Sequence, residues 1–262
     1  MLAEIYNKIS QTGGNLSDRL EDKLTGDFFG TIRYLPFELG LKHIFATAEF
    51  HHEGFNKNWN DIIRKQKEHI AQTEFWYRDE EGEIDVLITS DNVVIGIEIK
   101  YLSGISSEDP DNVVPFDYKE SLNQLSRYSR MIKKLSNGRE AYLLFLAPYE
   151  MMKTVIKSTL NRSIISPSVG LGFMCWEDIL ESLKTINLNR LKTGQKLIVN
   201  DLQALLAKKG FIRFNGFNIR GTTQPIIKET YPFKFENIIN EETWIWPNKT
   251  IEENAFYVYY NN

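Results

Sequence analysis

Asp85, Glu98 and Lys100 are the residues of this chain whose types and spacing most directly suggest chemistry. They lie in "EIDVLITSDNVVIGIEIKY", Glu83 to Tyr101, a stretch whose β-branched content reads as two strands joined at Asp91-Asn92. Residues two apart on a strand project to the same side of a sheet, so Glu98 and Lys100 emerge together while Ile95, Ile97 and Ile99 face a core. Antiparallel pairing through the Asp91-Asn92 turn brings Asp85 to the same end of the sheet as Glu98. Two carboxylates supply hard oxygen ligands for Mg²⁺ or Mn²⁺, and a neighbouring lysine can orient or deprotonate a water and balance developing negative charge. Such a set is equipped to hydrolyse a phosphodiester. The competing interpretation is a salt-bridge ladder of the same three side chains on a half-exposed sheet.

The elements that must position these residues read as alternating helices and strands. Asn15 with Asp18 resembles a helix start, and Leu20, Leu24, Phe28 and Ile32 then form an apolar stripe, giving a helix from about Leu16 to Leu35. A strand is expected at Lys42 to Phe50 and a polar helix at Trp59 to Gln72. Glu74–Tyr77, Ile84–Thr89 and Val93–Lys100 read as a meander of strands, with turn signals at Glu81-Gly82 and Asp91-Asn92. Leu102 to Phe116, rich in Ser, Asp and Pro, reads as a loop, and a helix from Asp117 to Leu135 should stop at Asn137-Gly138. "AYLLFLA", Ala141 to Ala147, is apolar without a break and so reads as a strand covered on both faces. A helix, strand and helix follow between Met151 and Leu183. This order predicts an α/β fold, a central mixed β-sheet flanked by helices.

Asp85, twelve intervening residues and then Glu98-Ile99-Lys100 resemble the signature of the PD-(D/E)XK nuclease superfamily. Ile84 stands where the pattern has proline. In "KESLNQLSRYSRMIKKL", Gln124 and Tyr128 lie one turn apart on one helix face and resemble the Gln-x-x-x-Tyr element of the RecB-like branch. The superfamily also takes an acid from its first helix, which Glu21 in "LEDKLTGDFFGTIRYL" matches, with Asp22 as the substitute. The surroundings "IEIKYLSGISS" and "NQLSRY" are similar to bacterial members, many of which act in defence against phage or plasmids. The resemblance spans about residues 14 to 183. It implies a restriction-endonuclease-like core over residues 1–185, with residues 186–262 as an extension packing on the core or on a partner. It implies Mg²⁺, or Mn²⁺, held by Asp85, Glu98, Glu21 and the backbone carbonyl of Ile99. Lys100 would orient the attacking water, Gln124 and Tyr128 would brace the site, and DNA would be the substrate. A catalytically silent binding subunit and a ribonuclease are the alternatives.

Composition narrows the setting. With 262 residues, 42% hydrophobic and 25% charged, the chain can build one large core, or a domain and an appendage. The N-terminal residues lack the pattern of a secretion signal, and no apolar run approaches the roughly 20 residues that span a bilayer. Cys175 is the only cysteine, which excludes an intrachain disulfide and a Cys-rich zinc site and suits the cytoplasm. It follows an apolar run and reads as a buried structural thiol. The net charge of −4 offers no general attraction for nucleic acid. Arg127, Arg130 and Lys134 form the one short basic helix face suited to phosphate contact. Weak intrinsic DNA affinity is therefore expected, with recognition supplied by a protein partner in a defence complex or by self-association. His51, His52 and Glu53 lack an H-E-x-x-H spacing, and Gly170-x-Gly172 alone is no nucleotide loop. Beyond Gly221 the chain is rich in aromatic residues, a composition that favours packing or a protein interface over disorder.

Overall fold

Two short turns and two helical crossovers set the order of the strands. The computed structural model describes residues 16–65, 72–109, 118–160 and 162–213. Strands β2 (Gln72–Asp79), β3 (Gly82–Thr89) and β4 (Val93–Ile99) form an antiparallel meander. Gly82 opens β3 at φ 139°, where a Cβ would lie 2.6 Å from the Arg127 guanidinium, so the β2–β3 turn requires glycine. Helix α4 (Gln124–Ser136) carries the chain across to β5 (Glu140–Ala147), parallel to β4. Helix α5 (Tyr149–Thr159) leads to β6 (Gly170–Cys175), parallel to β5. The two-residue strand β1 (Glu49–Phe50) closes the far edge against β6, giving a mixed, open, six-stranded sheet in the order β1-β6-β5-β4-β3-β2.

The sheet is the middle of three layers. Ile95, Ile97 and Ile99 of β4 and Tyr142, Leu144 and Leu146 of β5 face a core shared with α1 (Leu16–Ile32), α2 (Leu41–Phe45), α3 (Glu53–Lys65), α6 (Trp176–Lys184) and α7 (Thr193–Lys208). Val94, Leu143, Phe145 and Ala147 face a second core under α4 and α5. Strand β5 is thus covered on both faces, as its unbroken apolar run predicts. The α/β class and the flanked mixed sheet agree with the sequence. Helix α7 packs against α1 and α6 and belongs to the same compact unit as the sheet. The aromatic segment from residue 221 onward lies outside the described residues.

Three elements differ from expectation. The strand expected at Lys42–Phe50 begins as helix α2, because Leu41, Ile44 and Phe45 bury themselves at helical spacing, and only Glu49–Phe50 pairs as strand. The polar helix begins earlier, at Glu53. Helix α4 begins at Gln124 rather than Asp117. The Asn123 side chain accepts the backbone N–H groups of Leu125 (2.9 Å) and Ser126 (3.4 Å), and that cap fixes the first turn.

Candidate active site

The β3–β4 ladder stops one pair short of the site. Its last bonded pair is Val86 opposite Ile97, and continued register would place Asp85 opposite Glu98. Instead the Asp85 carboxylate itself accepts the Ile99 backbone N–H at 2.7 Å, taking the place of a ladder bond. Across β3, the pair that should join Asp85 to β2 is also missing, between Phe75–Val86 and Tyr77–Ile84. The β2 residue at that gap is Trp76, which has φ 52°, an uncommon backbone conformation for a bulky side chain. The kink changes which face each strand presents: Phe75 and Val86 enter the first core, whereas Tyr77 and Ile84 join the second. Asp85 sits at the changeover and turns toward β4.

Glu98 and Lys100 do project together, with Lys100 Nζ 2.8 Å from Glu98 Oε1. The face they share is not half-exposed: Glu98 is 2% and Lys100 5% exposed. Helix α1 adds Glu21, whose Oε1 lies 3.2 Å from Lys100 Nζ. Its Oε2 accepts the Tyr101 backbone N–H (2.8 Å) and the Ser103 hydroxyl (2.7 Å). The neighbouring acid has a different task, because Asp22 accepts the Trp76 indole N–H at 3.0 Å. Three carboxylates therefore gather around one ammonium.

Gln124 and Tyr128 complete the inner network from α4. The Gln124 amide donates to Glu98 Oε1 at 2.7 Å and to the Tyr128 hydroxyl at 3.1 Å, while its own oxygen accepts the Ser106 N–H at 2.9 Å. Tyr128 in turn donates to the Glu83 carbonyl at 2.5 Å. With Lys100 and Gln124 both on Glu98 Oε1, the second oxygen, Oε2, is buried without a hydrogen-bond partner among the described residues.

Burial and like charge set the protonation of this cluster. Burial, reinforced by Glu98, holds the Asp85 carboxyl well above the usual carboxylate range. Burial also raises Glu98, to about 7, although Lys100 opposes the shift. For Lys100, burial works against the charge, but Glu98, Glu21 and Asp85 outweigh it and keep the ammonium protonated far into alkaline pH.

Among the described residues no three His, Cys, Asp or Glu side chains stand close enough to enclose an ion by themselves. The donors present nevertheless fit a magnesium-like ion, which dehydrates reluctantly and is often held by one or two carboxylates plus water and phosphate. Asp85 and Glu98 are such a pair, and Glu98 Oε2 is a buried carboxyl oxygen that no group among the described residues satisfies. The Ile99 carbonyl leaves its strand on the same side as its N–H, the side of Asp85. Glu21 is tied to Lys100, Tyr101 and Ser103 and contributes charge to the cluster rather than a free oxygen.

The basic face is engaged within the protein. Arg130 makes a two-pronged pair with Glu81, 2.7 Å on each prong, and also donates to the Tyr118 and Ser121 carbonyls. Lys134 pairs with Glu80 at 2.8 Å, and Arg127 lies over Gly82 with its Nε buried and without a partner among the described residues. Phosphate contact by Arg130 or Lys134 would have to displace these pairs. His51, His52 and Glu53 are exposed, the histidines resting edgewise or tilted on Phe173 and Phe55. Cys175 is buried, and burial together with Asp178 pushes its thiol up to about 12, which leaves it unreactive.

Two contributors carry no sequence signal. Trp176 donates its indole N–H to the Lys100 carbonyl at 3.0 Å, and its ring stacks on Phe211, which meets Tyr101 edge to face. This aromatic train anchors the backbone at Lys100 and Tyr101. Ser103 is the other, visible in sequence only as a hydroxyl soon after the strand. No protein-family model, no curated protein and no solved structure matches the chain, so the reading of this site rests on its own geometry.

Proposed function

We propose that this chain is a metal-dependent nuclease of the PD-(D/E)XK type that hydrolyses DNA phosphodiester bonds. The observation that carries the reading is the buried cluster of Asp85, Glu98 and Lys100, in which one carboxylate oxygen is held by two donors and the other, Glu98 Oε2, by none among the described residues. A cluster built for stability would satisfy both oxygens or dispense with the charges, since apolar replacements of buried ion pairs are often neutral or stabilising.

Asp85 and Glu98 would hold the ion, with the Ile99 carbonyl beside them. When bound, Mg²⁺ or Mn²⁺ supplies charge neutralisation at the scissile phosphate and acidifies water. Gln124 restrains Glu98 through Oε1, so that Oε2 is the oxygen left for ligation. Lys100, kept protonated by its three carboxylates, acts first as a donor that orients the attacking water and offsets charge developing on the phosphate. As the field of those carboxylates is neutralised the ammonium gives up its proton more readily, and only the amine so formed can take one from the water. Glu21 keeps the ammonium in place from the side of α1.

The test is plasmid cleavage by the full chain with Mg²⁺ and with EDTA, beside Glu98→Gln and Lys100→Arg. Arginine keeps the positive charge but cannot give up its proton and holds it in a different shape. Cleavage that needs Mg²⁺ and is lost in both folded variants supports the reading. Equal cleavage by wild type and either variant, or cleavage unaffected by EDTA, refutes it, and cleavage of RNA alone moves the activity to the ribonuclease class.

A further inference from the structure

Gln124 can restrain Glu98 only if the start of α4 is itself fixed, and the residues that fix it come from the opposite end of the sequence motif. The segment 106–109 runs antiparallel to the approach to α4. It is joined there by the Ser106 N–H to the Gln124 side chain (2.9 Å) and the Gln124 N–H to the Ser107 carbonyl (3.1 Å). Asp109, buried, accepts the Ser121 hydroxyl at 2.7 Å and the Leu122 N–H at 2.6 Å. Glu108 accepts from the side chain of Asn123, the residue that caps α4, at 2.9 Å. Two adjacent carboxylates are thus aimed at one helix terminus and would repel each other without a cation. Arg162, on the connection between α5 and β6, supplies it: one prong reaches Glu108 at 2.8 Å and the other pairs with Asp109.

We propose that Arg162 is a positioning residue of the candidate active site. By neutralising Glu108 and Asp109 it locks segment 106–109 to residues 121–124 and so sets the Gln124 amide against Glu98. The proposal rests on the reading of Glu98 as a metal ligand. The path is short: hydrogen bonds run from Arg162 to Glu108 and Asp109 and from these to Ser121, Leu122 and Asn123, the chain leads on to Gln124, and its amide bonds to Glu98. Neither Arg162 nor Asp109 touches the carboxylate cluster, so their effect passes through Gln124. Groups that orient a metal ligand from behind alter metal affinity or activity by about 10–100-fold when removed.

Two measurements on the full chain test this: Mg²⁺ binding by calorimetry without DNA, and amide hydrogen exchange of the metal-free protein. Arg162→Ala should weaken Mg²⁺ binding by about tenfold, with Arg162→Lys recovering part of it. Exchange should quicken at Gln124 and Ser106 while the amides of β4 and β5 keep their protection. Should Arg162→Ala fail to fold, Asp109→Asn, which keeps an acceptor for Leu122 but loses the ion pair, is read in the same way. Unchanged Mg²⁺ affinity overturns the proposal, as does exchange that quickens uniformly across the sheet, since both describe a residue that serves stability alone. Wild-type protein that binds no Mg²⁺ overturns the nuclease reading itself, a result distinct from normal wild-type binding with an indifferent Arg162 variant.

Discussion

Raising the pH from about 5 to about 8 in buffer free of divalent cations should lower the melting temperature of this protein. The cause is the buried carboxylate pair. Burial, only partly offset by Lys100, takes Glu98 from an ordinary 4.5 to about 7, and burial with the nearby Glu98 raises Asp85 as well. A carboxyl raised on folding binds its proton more tightly in the folded chain. Its contribution is complete below the unfolded value and is lost as the pH climbs through the folded one. For Glu98 that loss is about 3 kcal/mol, which corresponds to a fall of roughly 6–12 °C for a unit of this size. Asp85 acts in the same direction. Mg²⁺ takes the place of the missing proton, so a concentration tenfold above Kd should return about 1.4 kcal/mol near pH 8 and much less near pH 5, where the carboxyls are protonated. Scanning calorimetry of wild type and Glu98→Gln, with EDTA or with Mg²⁺, provides the measurement. The variant should lose most of the decline and the Mg²⁺ response together. A melting temperature that is level or rises over this range, identical in both proteins, would refute the argument that these carboxylates are buried at a cost.

The other expectations concern the parts that hold the cluster. Gly96→Ala places a Cβ 2.5 Å from the Cδ1 atoms of both Ile84 and Ile132, wedging α4 away from β4; it should cost about 1–3 kcal/mol in denaturant unfolding and reduce cleavage further than that loss alone explains. Tyr128→Phe strips the Glu83 carbonyl and the Gln124 amide of a partner, costing about 1–3 kcal/mol and lowering cleavage while leaving some behind; full activity at unchanged stability would mean that the hydroxyl is idle. Lys100→Met removes the one cation among three carboxylates and should lower stability by about 3–5 kcal/mol at neutral pH, a loss that shrinks as the medium is acidified.

Strand alternation was enough to show that Glu98 and Lys100 share a side and that Asp85 meets them, because a period of two leaves no freedom once the isoleucines choose the core. It could not show that the shared side is also buried. That depends on α4 and segment 101–109 closing over it, a tertiary event with no local signature. The pairing of Arg130 and Lys134 is likewise hidden from the local sequence. Their helical spacing marks a basic face, but the acids that occupy it, Glu80 and Glu81, come from a turn about 50 residues away, and only the β2–β3 hairpin brings them there. Helix α2 was missed because Leu41, Ile44 and Phe45 form too short an apolar run for its period to be told from a strand. In the sequence Glu21 is the first candidate and Asp22 its substitute, and the contacts of α1 separate them: Glu21 reaches Lys100, Asp22 the indole of Trp76.

Most of this chain obeys its local rules. Asn137, the other non-glycine residue with positive φ among those described, ends α4 in the left-handed conformation that asparagine commonly adopts there. Trp76 has no such excuse. Its strained backbone opens the β2–β3 ladder at the residue where the β3–β4 ladder also opens, and Asp85 occupies both gaps. One strand further on, Glu98 buries a carboxyl oxygen left unsatisfied among the described residues, beside a lysine. A strained residue, two interrupted ladders and an orphaned charge each reduce stability, and a sheet lined with isoleucine could have avoided all of them. Such departures persist when the surrounding structure enforces them, and they concentrate where function requires them. Here they meet at one end of β4, with three helices, α1, α4 and α6, each contributing a side chain that holds the arrangement in place: Glu21, Gln124 and Trp176. The fold therefore spends its core packing on keeping two carboxylates and one ammonium together against their mutual desolvation cost. That is the expected outcome if an ion and a phosphate are the missing partners, and it is hard to account for if the cluster were only a means of joining two strands.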